Sequence, residues 1–333
     1  MRLVRLISFL FFAVLIAAGC GREKSAERSP AGVSQDRKVI FQSDWFPQAE
    51  HGGFYQALAK GFYRNAGLDV EIRPGGPGVS IKVPVATGDV DFGMNRSDDV
   101  MMVASRGLPL VMVAAVLQHD AQALMVHADS PVKSFKDLKG RTVTANLGMT
   151  WIPYIQKKYG ITFELRPNTY SLAGFLADRS TIQQCFVTNE PYYAQEQGAR
   201  VRSLLLAAAG YDVYHTIICR RDLVRQSPEV VRAFVAASIL GWRDYLDNDP
   251  KPAHDLILSR NVQMTPERLA FSRGELMLRG LVTGDRQMGE DIGQLSLRRL
   301  AEQLDVLLEL KVMDTPIAIA SVATRDFLPV APR

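Results

Sequence analysis

The strongest constraint on the fold of this chain is an alternation: short β-prone runs and amphipathic helical stretches succeed one another from Lys38 to Leu310. Val39-Ile40-Phe41 precedes a helical pattern over residues 51–65, and Leu68-Asp69-Val70-Glu71-Ile72 alternates apolar and polar as a half-buried strand does. Gly75-Gly76-Pro77-Gly78 then leads through Ser80 into a helix carrying Ile81, Val83 and Val85, where Pro84 is tolerated near the first turn. Residues 91–94 and 111–117 predict buried strands on either side of a helix over Ser97–Ser105. A second series predicts strands over 123–127, 141–144 and 163–165, a capped short helix over 134–140 and a helix over Trp151–Tyr159. Residues 171–178 and 180–185 predict a further helix and turn, and residues 186–191 a buried strand ending in polar groups before a helix from Tyr192. Residues 214–219 are β-prone again and lead to helices over Pro228–Asp247, 252–259, Pro266–Leu278 and 295–310. Such alternation predicts an α/β fold with a largely parallel sheet, where ligands sit beyond the carboxyl ends of strands.

The first such strand end is the richest in chemistry. Gln42-Ser43-Asp44-Trp45-Phe46-Pro47-Gln48-Ala49-Glu50-His51-Gly52-Gly53-Phe54-Tyr55 turns from a strand into a helix N-terminus, whose free N–H groups point outward. Asp44 can accept hydrogen bonds, Trp45 and Phe46 offer flat apolar faces, and Pro47 stiffens the turn. The same residues would also serve as core aromatics and a plain helix cap. Neither phosphate-loop spacing fits the Gly75–Gly78 segment, which reads as a tight turn or as a loop whose backbone approaches a ligand.

The N-terminus predicts export. Arg2 and Arg5 precede an apolar run over residues 6–17, shorter than the ~20 residues that span a bilayer but suited to a secretory leader. Leu15-Ile16-Ala17-Ala18-Gly19-Cys20 resembles the bacterial lipoprotein cleavage box, with Ala17 where leucine is usual. The expectation is a signal peptide over residues 1–19, a lipidated Cys20 and a flexible tether over 20–37, rich in Ser, Gly, Pro and charge. Acyl chains contribute about 0.8 kcal/mol per buried CH₂, so two or three would hold the protein to the bacterial cell membrane, facing periplasm or exterior. An ordinary signal peptide with Cys20 incidental is the alternative.

Charge and cysteine content exclude several function classes. The formal net charge of +4 falls by two when Arg2 and Arg5 leave with the leader, which is no nucleic-acid footprint. The five histidines, His51, His119, His127, His215 and His254, show no metal-ligand spacing among themselves or with the cysteines. Cys185 and Cys219 could pair in an oxidising compartment or remain as buried thiols.

A family resemblance rests on an ordered series of motifs. Asp44-Trp45-Phe46-Pro47, His51-Gly52-Gly53-Phe54-Tyr55, Gly61-Phe62-Tyr63 and Gly67-Leu68-Asp69-Val70 are followed by Gly88-Asp89-Val90-Asp91-Phe92-Gly93, Asp137-Leu138-Lys139-Gly140 and Asn189-Glu190-Pro191. Over residues 38–250 the chain resembles ABC-transporter solute-binding proteins of the sulfonate, nitrate and thiamine-pyrimidine-precursor type. The resemblance implies a two-lobed type II periplasmic-binding-protein-like fold with the ligand cleft between lobes. Lobe 1 would comprise residues 38–120 and 216–333, and lobe 2 residues 121–215. It also implies an aromatic clamp with carboxylate and amide groups around a pyrimidine. The matching positions are Asp44, Trp45 and His51 on lobe 1, and Asn189, Glu190 and Tyr192 on lobe 2. Asn95 and Asp98, just after the Phe92-Gly93 strand, would line the cleft or cap the next helix. Trp151, after a Gly148 turn, is a further candidate. Thr181-Ile182-Gln183-Gln184-Cys185 departs from the Gly-x-Val-Asp-Ala that usually precedes the Asn-Glu-Pro segment, which bears on ligand choice more than on fold.

Two classes of function follow. One is a monomeric carrier without cofactor that delivers a thiamine pyrimidine precursor to ABC permease and ATPase subunits, or, in the same role, riboflavin, a sulfonate or nitrate. Small anions would be held by helix N-termini and hydroxyls such as Ser80 and Thr150. The other is an enzyme, because pyrimidine synthases that use pyridoxal phosphate share the fold. Their lysine follows an Asp-x-Gly motif by two residues, where this chain has Asn95, and Asp99 stands where they have a histidine. No serine elbow or activated cysteine is evident either.

Overall fold

Two five-stranded sheets frame the computed structural model, which describes residues 36–329. The expected leader, Cys20 and nearly all of the expected tether lie outside the described residues. In chain order the strands are β1 (Arg37–Gln42), β2 (Leu68–Arg73), β3 (Phe92–Arg96), β4 (Leu110–Leu117) and β5 (Gln122–His127). They continue with β6 (Thr142–Ala145), β7 (Glu164–Pro167), β8 (Ile182–Phe186), β9 (Val201–Leu205) and β10 (His215–Arg220). The first sheet runs β2-β1-β3-β10-β4 and the second β7-β6-β8-β5-β9, which gives the expected two-lobed α/β architecture.

Neither sheet is purely parallel, and the departure has one cause. β1 pairs parallel with β2 and β3, and β6 with β7 and β8. β10, arriving from the second lobe, lies antiparallel between β3 and β4, while β5, arriving from the first, lies antiparallel between β8 and β9. Residues 118–121 and 206–214 make the two crossings. They are stapled together where Asp212 Oδ1 accepts the Asp120 amide at 2.8 Å.

The first lobe buries an aromatic core. Phe92 and Tyr63 stack on Phe234 at 4.1 and 5.3 Å between ring centroids, and Phe41 packs on Phe54 at 4.2 Å. Phe234 belongs to the long helix Pro228–Asp247, which lies against the helix Gly52–Ala59 so closely that glycine is required at the contact. A Cβ on Gly53 would fall 2.2 Å from the Trp242 ring, and one on Gly241 2.2 Å from the Gly53 carbonyl. The paired glycines after His51 therefore set a helix–helix distance. In the second lobe Leu124, Val126, Val143 and Trp151 form a separate core; Trp151 is fully buried there and is no cleft residue.

One stretch departs from its sequence pattern. Residues 180–185, expected as helix and turn, contain most of β8, the central strand of the second sheet. Its period-2 pattern is broken by two adjacent glutamines that are nonetheless buried and bonded: Gln183 Nε2 donates to the Ser171 carbonyl at 3.3 Å, and Gln184 Nε2 to Gln122 Oε1 at 2.9 Å. The strand expected over residues 186–191 is consequently a turn over 187–189: Phe186 ends β8, and the next helix starts at Glu190 (Glu190–Glu196), two residues before the expected Tyr192, with Asn189 just ahead of it. Cys185 on β8 and Cys219 on β10 are both buried free thiols, one in each sheet.

Candidate functional site

A cavity opens between the sheets at the carboxyl end of β1, with about 660 Å³ of empty space counted out to open solvent. Its first-lobe wall is the stretch that follows β1. Ser43 fixes the backbone there: its hydroxyl donates to the Trp45 carbonyl at 2.9 Å and accepts the Gly75 amide at 3.2 Å, and that amide also reaches the Trp45 carbonyl at 3.0 Å. The glycine-rich turn is thus a buttress for the Asp44–Trp45 corner. A Cβ on Gly75 would stand 2.4 Å from the Ser43 carbonyl oxygen.

Asp44 sits between two imidazoles. His51 Nε2 lies 2.8 Å from its Oδ1, and His215 Nδ1 3.4 Å from its Oδ2. His215 Nε2 in turn lies 3.5 Å from Asp120 Oδ1, an ion-pair distance without hydrogen-bond geometry. Burial alone would push the Asp44 carboxyl up, but His215 and His51 outweigh it and hold the group well below the usual carboxylate range. Burial would likewise lower the His215 pKa, yet Asp120 and Asp44 raise it to about 9. The proton is therefore favoured on His215, which sits between the Asp44 and Asp120 carboxyls.

The second-lobe wall comes from three places. Asn168 Oδ1 accepts the Tyr170 amide at 2.9 Å in a side-chain-closed turn, and Tyr170 adopts a positive φ of 59°. This brings the Tyr170 ring to 5.2 Å from Trp45 across the cleft. Gln184 bridges the floor by accepting the Asn146 amide at 2.9 Å while donating to Gln122, whose amide reaches Asp120 Oδ2 at 3.2 Å. Asn189 and Glu190 supply the third part. Glu190 Oε2 accepts the Phe186 amide at 2.8 Å, and burial pushes its carboxyl up to about 7, with the charge of Glu50 adding to the rise. The lobes also touch directly. The Thr188 hydroxyl donates to Glu50, and a buried cluster joins Arg96 and Asp98 of the first lobe to Thr150 and Tyr211.

Of the residues singled out from sequence, Asp44, Trp45, Asn189 and Glu190 line this cavity. His51 is fully buried behind Asp44, so it reaches the cavity only through that carboxylate. Asn95 is buried on β3 beside the lining residue Met94 but is not itself in the wall. Tyr192 packs on Phe271 at 5.0 Å, away from the wall. Asp98 serves the interlobe cluster, and Thr150 is engaged there rather than at a helix N-terminus open to ligand. Sequence reasoning missed Glu50, Tyr170, Gln184 and His215. The only available signal was position: Glu50 falls inside the Gln42–Tyr55 stretch, and His215 opens a crossover strand.

The model for the family described as NMT1/THI5 like matches residues 48–253, well over half of the chain. Among curated relatives, the riboflavin-binding protein RibY of Chloroflexus aurantiacus is 24% identical over 92% of this chain and 90% of its own length. A formylaminopyrimidine-binding protein of Halalkalibacterium halodurans is 25% identical over 78% of this chain and 79% of its own. A 4-amino-5-hydroxymethyl-2-methylpyrimidine phosphate synthase of Saccharomyces cerevisiae is 24% identical over 66% and 73%. Among solved structures, the alkanesulfonate-binding protein SsuA of Xanthomonas axonopodis pv. citri superposes with a TM-score of 0.65 over 86% of this chain and 98% of that one, at 12% identity. At that identity the likeness speaks for the fold alone, a periplasmic-binding-protein fold.

Proposed function

The chain belongs to the NMT1/THI5-like family, and from that premise we propose that it is the exported solute-binding component of an ABC importer, capturing a small aromatic heterocycle without transforming it. The observation that carries this reading is the Trp45–Tyr170 pair, one ring from each lobe, above a cavity walled by Asp44, Glu190, Asn189 and Gln184. Two aromatic faces suit a flat ring, and a rim of carboxylates and amides suits a heterocycle edge of donors and acceptors. The leading ligand is a thiamine pyrimidine precursor of the formylaminopyrimidine or hydroxymethylpyrimidine type, in line with the formylaminopyrimidine-binding relative. Riboflavin is the second reading, favoured by the relative that matches 92% of the chain.

Small anions fit the site poorly. No arginine or lysine is among its lining residues, and the hydroxyl of Thr150 is committed to Asp98. A pyridoxal-phosphate synthase fits poorly too, because a Schiff base needs a lysine and none lines the cavity. His51 acts in this reading by orienting Asp44. Asn95, beside Met94, supports the first-lobe wall from behind, whereas Tyr192 packs on Phe271 and takes no part in the site. In the same proposal Cys20 carries the lipid anchor, and a permease with its ATPase receives the ligand. No helix among the described residues is long and apolar enough to cross a membrane.

A thermal-shift panel tests the reading. Hydroxymethylpyrimidine, formylaminopyrimidine, riboflavin, an alkanesulfonate and nitrate would each be added to purified protein. The true ligand at 100 times its Kd adds about 2.7 kcal/mol of stability. Of the three tryptophans, Trp151 and Trp242 are buried in the cores, so ligand quenching of indole fluorescence should arise at Trp45 and vanish in Trp45→Phe. A shift with the sulfonate or nitrate alone would sink the heterocycle reading.

A further inference from the structure

Two carboxylates meet in this cavity from opposite lobes, and the positive charge near them is already committed. Glu50 comes from the helical turn Ala49–His51 and Glu190 from the first turn of Glu190–Glu196, and both line the one cavity. His215 is shared between Asp44 and Asp120, and His51 is bonded to Asp44. Among the described residues no lysine or arginine lines the cavity. The ionisable neighbours of Glu50 are His51, Asp44 and, on the long helix Pro228–Asp247, Tyr245, with the Thr188 hydroxyl as direct donor. Those of Glu190 are Glu50 and Cys185, with the Phe186 amide as direct donor. The cavity therefore holds two poorly solvated carboxyls without a lysine or arginine to balance them.

We infer that the cavity holds one proton between the Glu190 carboxyl, faced by Glu50, and a basic ring nitrogen of the ligand, so that an amino-substituted pyrimidine is bound together with that proton. The inference rests on the pyrimidine reading above and deepens it by fixing the protonation state of the complex. The exocyclic amine donates one N–H to the carboxylate, and the proton lies between the second carboxylate oxygen and the adjacent ring nitrogen. This two-point fork is the geometry that guanidinium groups use with carboxylates. A flat heterocycle with no basic nitrogen leaves the proton on the carboxyl and forms one contact fewer. Burial raises the Glu190 pKa to about 7 and raises that of Glu50. Below that pH the proton is resident before the ligand arrives; above it the proton is taken from solvent.

Titration calorimetry with 4-amino-5-hydroxymethyl-2-methylpyrimidine, at pH 8 in two buffers of different ionisation enthalpy, reads the proton directly. The expected result is uptake of about one proton per ligand, with Kd rising roughly tenfold per pH unit between pH 7.5 and 8.5, the slope that one linked proton imposes. In Glu190→Gln, checked for folding by its melting transition, the slope should flatten. Binding of the pyrimidine with no proton uptake and a flat profile would overturn the inference while leaving the ligand reading intact. An unchanged slope in a folded Glu190→Gln would overturn it as well. Failure of the pyrimidine to bind at any pH from 6 to 8.5, alongside a clear shift with riboflavin, would remove the inference and the pyrimidine reading together.

Discussion

The two jaws of the cleft are built to different standards. On the first lobe, the corner after β1 is tied at several points: Ser43 is fully buried, its amide donates to the Arg73 carbonyl at 3.0 Å, Gln42 Nε2 donates to the Pro74 carbonyl at 2.8 Å, and Asn261 holds the Pro47 carbonyl at 2.9 Å. Its carboxylate is clasped by two imidazoles. On the second lobe, Tyr170 is 52% exposed, in a left-handed conformation, at the end of an edge strand whose four residues are all exposed. Few buried contacts and solvated backbone are the marks of low local stability. The difference teaches a division of labour. Under the proposed function, the first jaw would fix which edge of a ligand is read, and the second would adjust to what has been admitted.

The sharpest way to break this comparison is to remove the clasp. His215→Leu leaves Asp44 and Asp120 without their shared cation, and breaking a buried pair in this way costs about 3–5 kcal/mol. Urea denaturation should show a loss of that size, and an unchanged midpoint would mean that the first jaw is not held by charge. The same group sets a pH dependence. The folded-state pKa of His215, about 9, lies above its usual 6.5, so its contribution is complete below about pH 6.5 and is lost as pH rises through 9. Wild-type protein should lose stability across that window, and His215→Leu should lose less.

A smaller effect tests the buttress. Gly75→Ala presses a methyl group against the Ser43 backbone and should cost about 1–3 kcal/mol, as overpacking does. Gly174, in the short second-lobe helix Ala173–Ala177, has open space where its Cβ would lie. Gly174→Ala should gain about 0.4–1 kcal/mol through the unfolded state. Equal losses at both glycines would erase the contrast between jaws.

The smallest effect belongs to the aromatic of the exposed side. Tyr170→Ala should change folding stability by no more than about 0.5 kcal/mol, because the side chain is exposed. It should nonetheless weaken ligand binding by about 0.5–1.5 kcal/mol, a two- to tenfold rise in Kd in fluorescence titration. Tyr170→Phe should restore most of it. A variant that unfolds would show that Tyr170 holds its lobe together instead.

What could be read from the sequence divides along the same line. Ser97–Ser105, Trp151–Tyr159, Pro228–Asp247 and Pro266–Leu278 are helices with the expected bounds, the last two opened by the prolines that announce them. The Asp44-Trp45 corner was legible because a strand end, a proline and a helix start are local signals. β8 was not, since burying Gln183 and Gln184 depends on Ser171 and Gln122, partners that no window around residue 184 contains. Tyr170 was hidden for the same reason. Its turn is closed by Asn168, but only the distant Trp45 makes that turn part of a site. His215 sits in an ordinary β-prone run, and its chemistry comes from carboxylates roughly a hundred residues or more upstream.

The place of β10 has a consequence for the order in which the molecule forms. The strand lies between β3 and β4, so residues 92–96, with β1 on one side, lack their second neighbour until residues 215–219 have been made. The second sheet draws all its strands from Gln122–His127 through Val201–Leu205, one uninterrupted stretch of chain. Contacts that close long loops form late, and a chain synthesised from its N-terminus folds what is contiguous first. The middle of this protein is therefore complete before its beginning. The rigid jaw, whose clasp includes His215, is the last part of the cleft to be assembled.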